Sequence, residues 1–67
     1  MKVTINGDER ELAAGTRVED VASELAGARR TGVAIALNGE VVPKSRWPEV
    51  AVLEGDRLEV LSAIGGG

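Results

Sequence analysis

The chain has 67 residues, enough for one domain and too few for a second. Its 43% hydrophobic content, single aromatic residue Trp47 and net charge of −3 describe a globular domain with an aliphatic core. Cysteine and histidine are both absent, which excludes disulfides, Cys/His zinc sites, thiol chemistry and histidine general-base catalysis. No apolar run approaches the roughly 20 residues of a membrane helix, and residues 1–7 alternate in polarity where a leader would place an apolar run, so the expected location is cytoplasmic. Basic residues gather only at Arg29-Arg30 and at Lys44 and Arg46, too sparsely for a phosphate backbone, so neither nucleic acid nor membrane is an expected partner.

Val3 and Ile5 alternate with Lys2, Thr4 and Asn6, the period of a half-buried strand, and Asn6-Gly7 is a hairpin turn signal, so residues 1–13 are expected to form a β-hairpin. Thr16 and Glu19 have capping-box spacing, and Val18, Val21, Ala22 and Leu25 follow at helical intervals. A helix over residues 17–26 is predicted, ended by Gly27. Val33, Ile35 and Leu37 share one face of a central strand whose other face carries Ala34 and Ala36, and Asn38-Gly39 turns the chain. Val41 and Val42 form a short strand that Pro43 ends, and Ser45 is placed to cap one turn carrying Arg46 and Trp47. After the apolar residues 50–53, Glu54-Gly55-Asp56 turns into a last strand over residues 57–61.

Hairpin, helix, strand, short strand and last strand make an α+β fold. It is a mixed sheet of four to five strands with one helix on one face, the β-grasp arrangement, over residues 1–61. The expected core is Val3, Ile5, Leu12, Val18, Val21, Leu25, Val33, Ile35, Leu37, Leu58 and Val60. Carboxylates fall at turns, strand edges and the exposed helix face, with no histidine or cysteine to pair with, and no glycine-rich phosphate loop is present. No catalytic residues and no metal ligands are assigned, and the chain is not expected to be an enzyme. Trp47 has two readings, a marker of a binding site or a lid on a small core.

Residues 62–67, Ser-Ala-Ile-Gly-Gly-Gly, follow the last strand as an expected flexible tail. Extended at about 3.3 Å per residue they span roughly 20 Å, and glycines without side chains can thread a narrow channel. Composition alone leaves open a frayed or engineered terminus.

The opening hairpin at Asn6-Gly7, Ala36-Leu37-Asn38, Val42-Pro43 with Trp47 shortly after, Glu54-Gly55-Asp56 and the terminal Gly66-Gly67 resemble, in this order and spacing, the ThiS family of ubiquitin-like sulfur carriers. The Val-Pro segment followed by tryptophan favours this family over the longer molybdopterin-type (MoaD) carriers. Gly65 departs from the family, in which a bulkier or amide side chain commonly precedes the glycine pair. The resemblance implies that the Gly67 carboxylate, ionised and a poor electrophile at neutral pH, is adenylated by an E1-like, ThiF-type enzyme using ATP and magnesium. A sulfur donor such as a cysteine desulfurase then supplies sulfur for a thiocarboxylate, which passes to thiazole synthase of the ThiG type. Gly65 and Gly66 become the slender stalk entering the partner's active site, and no cofactor is bound by the carrier itself. Leu61, pointing away from the core by alternation, and Ile64, beyond the strand, are the candidate docking residues, against the alternative of scattered surface hydrophobics. Other destinations of the sulfur, namely molybdopterin, cysteine or a natural product, remain open. So do a ubiquitin-like protein modifier and a binding module with an inert tail.

Overall fold

The computed structural model describes residues 1–26 and 32–62. Strands β1 (Lys2–Ile5) and β2 (Asp8–Glu11) form an antiparallel hairpin, followed by helix α1 (Val18–Ala26). Strands β3 (Val33–Leu37) and β4 (Glu40–Val42) make a second hairpin, and a 3₁₀ turn (Lys44–Glu49) leads through residues 50–53 and a turn at Glu54-Gly55 to β5 (Arg57–Ser62). The sheet order is β2-β1-β5-β3-β4, with β5 parallel to β1 and antiparallel to β3. This five-stranded mixed sheet with one helix agrees with the expected β-grasp sheet of four to five strands. The last strand to be made lies at its centre. Strand β5 runs to Ser62, one residue past the expected end of the strand at Leu61.

Both hairpins turn at Asn-Gly. Asn6 and Gly7 have φ of 53° and 86°, and Asn38 and Gly39 have 51° and 89°, the doubly positive pattern that suits the right-handed twist of the flanking strands. Asparagine and glycine tolerate this region better than other residues, so the sequence pays little strain for either turn.

The helix begins one residue later than its sequence signal. Val52 donates its N–H to the Thr16 carbonyl at 2.9 Å and Val18 donates to the Val50 carbonyl at 2.9 Å, so the backbone before the helix is held in an extended bridge with residues 50–52. The Thr16 hydroxyl turns back to the Ala13 carbonyl at 2.7 Å, and Asp20 supplies the cap by accepting the Arg17 N–H at 2.9 Å. A carboxylate three positions into the helix thus satisfies an N–H with no intrahelical partner. The expected end at Gly27 lies outside the described residues.

The core comprises Val3, Ile5, Val18, Val21, Ala22, Ile35, Trp47, Val52 and Leu58, with Leu12, Val33, Leu37 and Val60 packed partly buried against it. Leu25 departs from expectation: it is 38% exposed. It shares the buried stripe in projection, but lies about 10 Å further along the axis than Val18, at the helix end where so small a core thins. Trp47 and Val52 take up that volume from the connection between β4 and β5. Trp47 is 1% exposed and its indole N–H donates to the Val42 carbonyl at 3.0 Å, so the lid reading of this side chain holds. The turn that carries it spans six residues, begins at Pro43 without a side-chain cap and places Ser45 and Pro48 inside it. Ser45 is therefore not the cap. The Arg46 N–H bonds the Pro43 carbonyl at 2.8 Å to open the turn.

Candidate functional site

Strand β5 is the last described element before the C-terminal residues that the sequence singles out, so its surroundings are the candidate site. On its β3 side the ladder is complete, from Leu37↔Leu58 through Ile35↔Val60 to Val33↔Ser62. Alternation along this pair sends Leu58, Val60, Ile35 and Leu37 to the helix-covered face and Glu59, Leu61, Ala34 and Ala36 to the other. The start of β5 is pinned by Asn38, whose side-chain oxygen accepts the Arg57 N–H at 2.9 Å while its backbone N–H donates to the Arg57 carbonyl at 2.7 Å.

Leu61 is 65% exposed and sits opposite Ala34. Ala36 lies opposite both Glu59 on β5 and Val41 on β4, and Val41 is 72% exposed. Leu61, Ala34, Ala36 and Val41 thus form an apolar strip across three strands on the face that the helix leaves open. The sequence identified Leu61 but missed Val41 as its companion. The signal was present, because Val41 and Val42 alternate and only Val42 can face the helix. The second docking candidate, Ile64, and the tail residues Gly65, Gly66 and Gly67 lie outside the described residues.

The rest of the described surface offers no convergence of reactive groups. An open depression of about 260 Å³ beside β4 is lined by the apolar residues Leu37, Val41, Val42, Pro43 and Val50 together with Glu40 and Arg46. Arg46 pairs with Glu49 at 3.1 Å. Among the described residues no charged side chain is buried, and none of the helices is long and apolar enough to cross a membrane.

Residues 3–67 match the model of the ThiS family. The sulfur carrier protein ThiS of Escherichia coli is 31% identical over the full length of both chains. A thiazole synthase of Paramagnetospirillum magneticum is 48% identical and one of Magnetococcus marinus 36% identical over all 67 residues, and the chain spans only about a fifth of the length of each. The crystal structure of a thiamine biosynthesis protein (ThiS) from Geobacter metallireducens superimposes with a TM-score of 0.82 at 33% identity, covering the whole of both chains. The match of residues 3–67 to the family model and the end-to-end similarity to a sulfur carrier and to a solved ThiS structure make this chain a member of the ThiS family of sulfur carrier proteins for thiamin biosynthesis.

Proposed function

We propose that this chain carries sulfur as a thiocarboxylate on Gly67 and delivers it to a thiazole synthase, acting as a substrate of its partners and holding no catalytic residues or bound cofactor of its own. The observation that carries the reading is the full-length match to a sulfur carrier of the same size, together with the occurrence of a similar 67-residue segment within two thiazole synthases. A carrier segment joined to the synthase in one polypeptide is the arrangement expected of two proteins that must meet for transfer.

A carboxylate resists nucleophilic attack because its negative charge is delocalised over two oxygens. An E1-like, ThiF-type enzyme overcomes this by letting a Gly67 oxygen attack the α-phosphorus of Mg-ATP, expelling pyrophosphate and leaving an acyl adenylate. A persulfide charged by a cysteine desulfurase then attacks the acyl carbon and expels AMP. A second thiol reduces the resulting acyl disulfide, leaving the thiocarboxylate on Gly67 and a disulfide on the donor side. Gly65 and Gly66 serve as the stalk that enters the partner's site, since chain without side chains needs the least width. The strip of Leu61, Ala34, Ala36 and Val41 is the docking face, where burying exposed apolar surface offsets part of the cost of association. Its carrier role calls for a cytoplasmic location, alongside ATP and the synthase.

The test of delivery uses the thiocarboxylated chain mixed with thiazole synthase and the synthase's other substrates. Loss of sulfur from the chain, matched by thiazole formation, is the expected outcome. Retention of the sulfur in the presence of an active synthase would send the carrier to a different acceptor.

A further inference from the structure

We propose that Asn6 is a positioning residue for the loading of sulfur, because its side-chain amide stands in for the missing rung of sheet beside Val60 and holds the end of β5 from which the chain continues to Gly67. The inference rests on the sulfur-carrier reading above and adds a residue that the reading does not use.

The two edges of β5 are unequal. Its β3 edge is paired through Ser62, but β1 pairs it only at Thr4↔Arg57 and Ile5↔Leu58. Along that parallel edge the Thr4 N–H donates to the Asp56 carbonyl at 3.0 Å and the Asn6 N–H to the Leu58 carbonyl at 2.9 Å. In a longer β1 the next rung would join the carbonyl of residue 6 and the N–H of residue 8 to Val60. The chain instead turns away at Asn6 and Gly7.

The Asn6 side chain fills both places. Its Oδ1 accepts the Val60 N–H at 2.8 Å, and its Nδ2 donates to the Val60 carbonyl at 3.3 Å, across 54 positions of sequence. A carboxamide has the planar acceptor and donor of a peptide group, so it can replace one peptide in a ladder. Aspartate offers only the acceptor and glycine offers neither, although both suit the turn itself. The turn alone therefore does not require asparagine. With this clamp the strand is gripped on both edges up to Val60, two residues before the described chain ends at Ser62. Without it, Val60, Leu61 and Ser62 are held from the β3 side only.

Asn38 provides an internal control. Its side chain also makes two hydrogen bonds, to the Arg57 N–H at 2.9 Å and to Asp56 Oδ1 at 3.1 Å, from an Asn-Gly turn of the same kind, but at the opposite end of β5. Asn6→Gly and Asn38→Gly both keep a residue that favours positive φ and both delete two hydrogen bonds. Only the first frees the end toward Gly67.

The experiment measures adenylation of the full-length chain by its cognate E1-like enzyme through pyrophosphate release, for the unsubstituted chain, Asn6→Gly, Asn6→Asp and Asn38→Gly. Thermal stability and hydrogen exchange at the Val60 amide are followed in parallel. Ordering one or two extra residues on docking should lower kcat/KM of Asn6→Gly roughly tenfold. Exchange at Val60 should quicken by a similar factor, Asn6→Asp should recover part of both losses, and Asn38→Gly should load like the unsubstituted chain at a comparable loss of stability. The proposal is overturned if Asn6→Gly loads normally, or if the two glycine variants lose activity equally. Failure of the unsubstituted chain to be adenylated would instead strike the sulfur-carrier reading, and the proposal with it, while the Val60 exchange still reports the clamp.

Discussion

In a Leu61→Asp variant a carboxylate replaces a side chain that is 65% exposed on the open face of the sheet, in register with Ala34. Fully burying a leucine contributes about 1.5–3 kcal/mol, so covering the exposed two thirds at an interface contributes about 1–2 kcal/mol. A charge at the same point adds a desolvation cost to that loss. The sum corresponds to a 10- to 100-fold weaker complex with the activating enzyme. Folding should suffer far less, because the lost side chain buries little in the free protein and the strand-propensity scale spans only about 1 kcal/mol. Glu59, two residues earlier on the same face, adds a mild repulsion. Isothermal titration of the E1-like enzyme with each chain measures the first quantity, and urea denaturation followed by Trp47 fluorescence measures the second. Unchanged affinity in a folded variant would refute the assignment of this face to docking.

Trp47→Ala should remove about 3–5 kcal/mol, by opening a cavity under the helix and leaving the Val42 carbonyl without its indole donor. At about 0.05–0.15 kcal/mol per residue that is a large part of the total stability, so far-ultraviolet circular dichroism should show a variant partly unfolded near 37 °C. Leu58→Ala, at a fully buried site, should cost about 2–5 kcal/mol, and Leu25→Ala clearly less, since Leu25 is already 38% exposed; equal losses on urea denaturation would contradict the position of the helix end. Asp20→Ala should cost about 1 kcal/mol, whereas Thr16→Ala should leave the helix cap intact, a contrast readable in thermal denaturation.

Much of this architecture is legible in the sequence because its signals are local. The Asn-Gly pairs at residues 6–7 and 38–39 place both hairpin turns, Pro43 ends β4, and the spacing of Val18, Val21 and Ala22 locates the buried helix face. What escaped depends on contacts between distant segments. Thr16 and Glu19 have the spacing of a capping box, but pairing of residues 16–18 with residues 50–52 shifts the cap to Asp20. Val52 reads as part of a short apolar connection and becomes core, whereas Leu25 reads as core and does not. At the candidate site, alternation was enough to turn Leu61 outward. The Asn6 to Val60 clamp could not be anticipated, since it depends on the register of two strands more than fifty residues apart.

The most direct test of the central claim is the intact mass of the full-length chain after incubation with its E1-like enzyme, Mg-ATP and a cysteine desulfurase supplied with cysteine, beside a chain lacking Gly67. A sulfur carrier gains the difference between one sulfur and one oxygen atom, and the truncated chain gains nothing. No gain with an enzyme shown to be active, or a ladder of larger adducts on other proteins, would contradict the account.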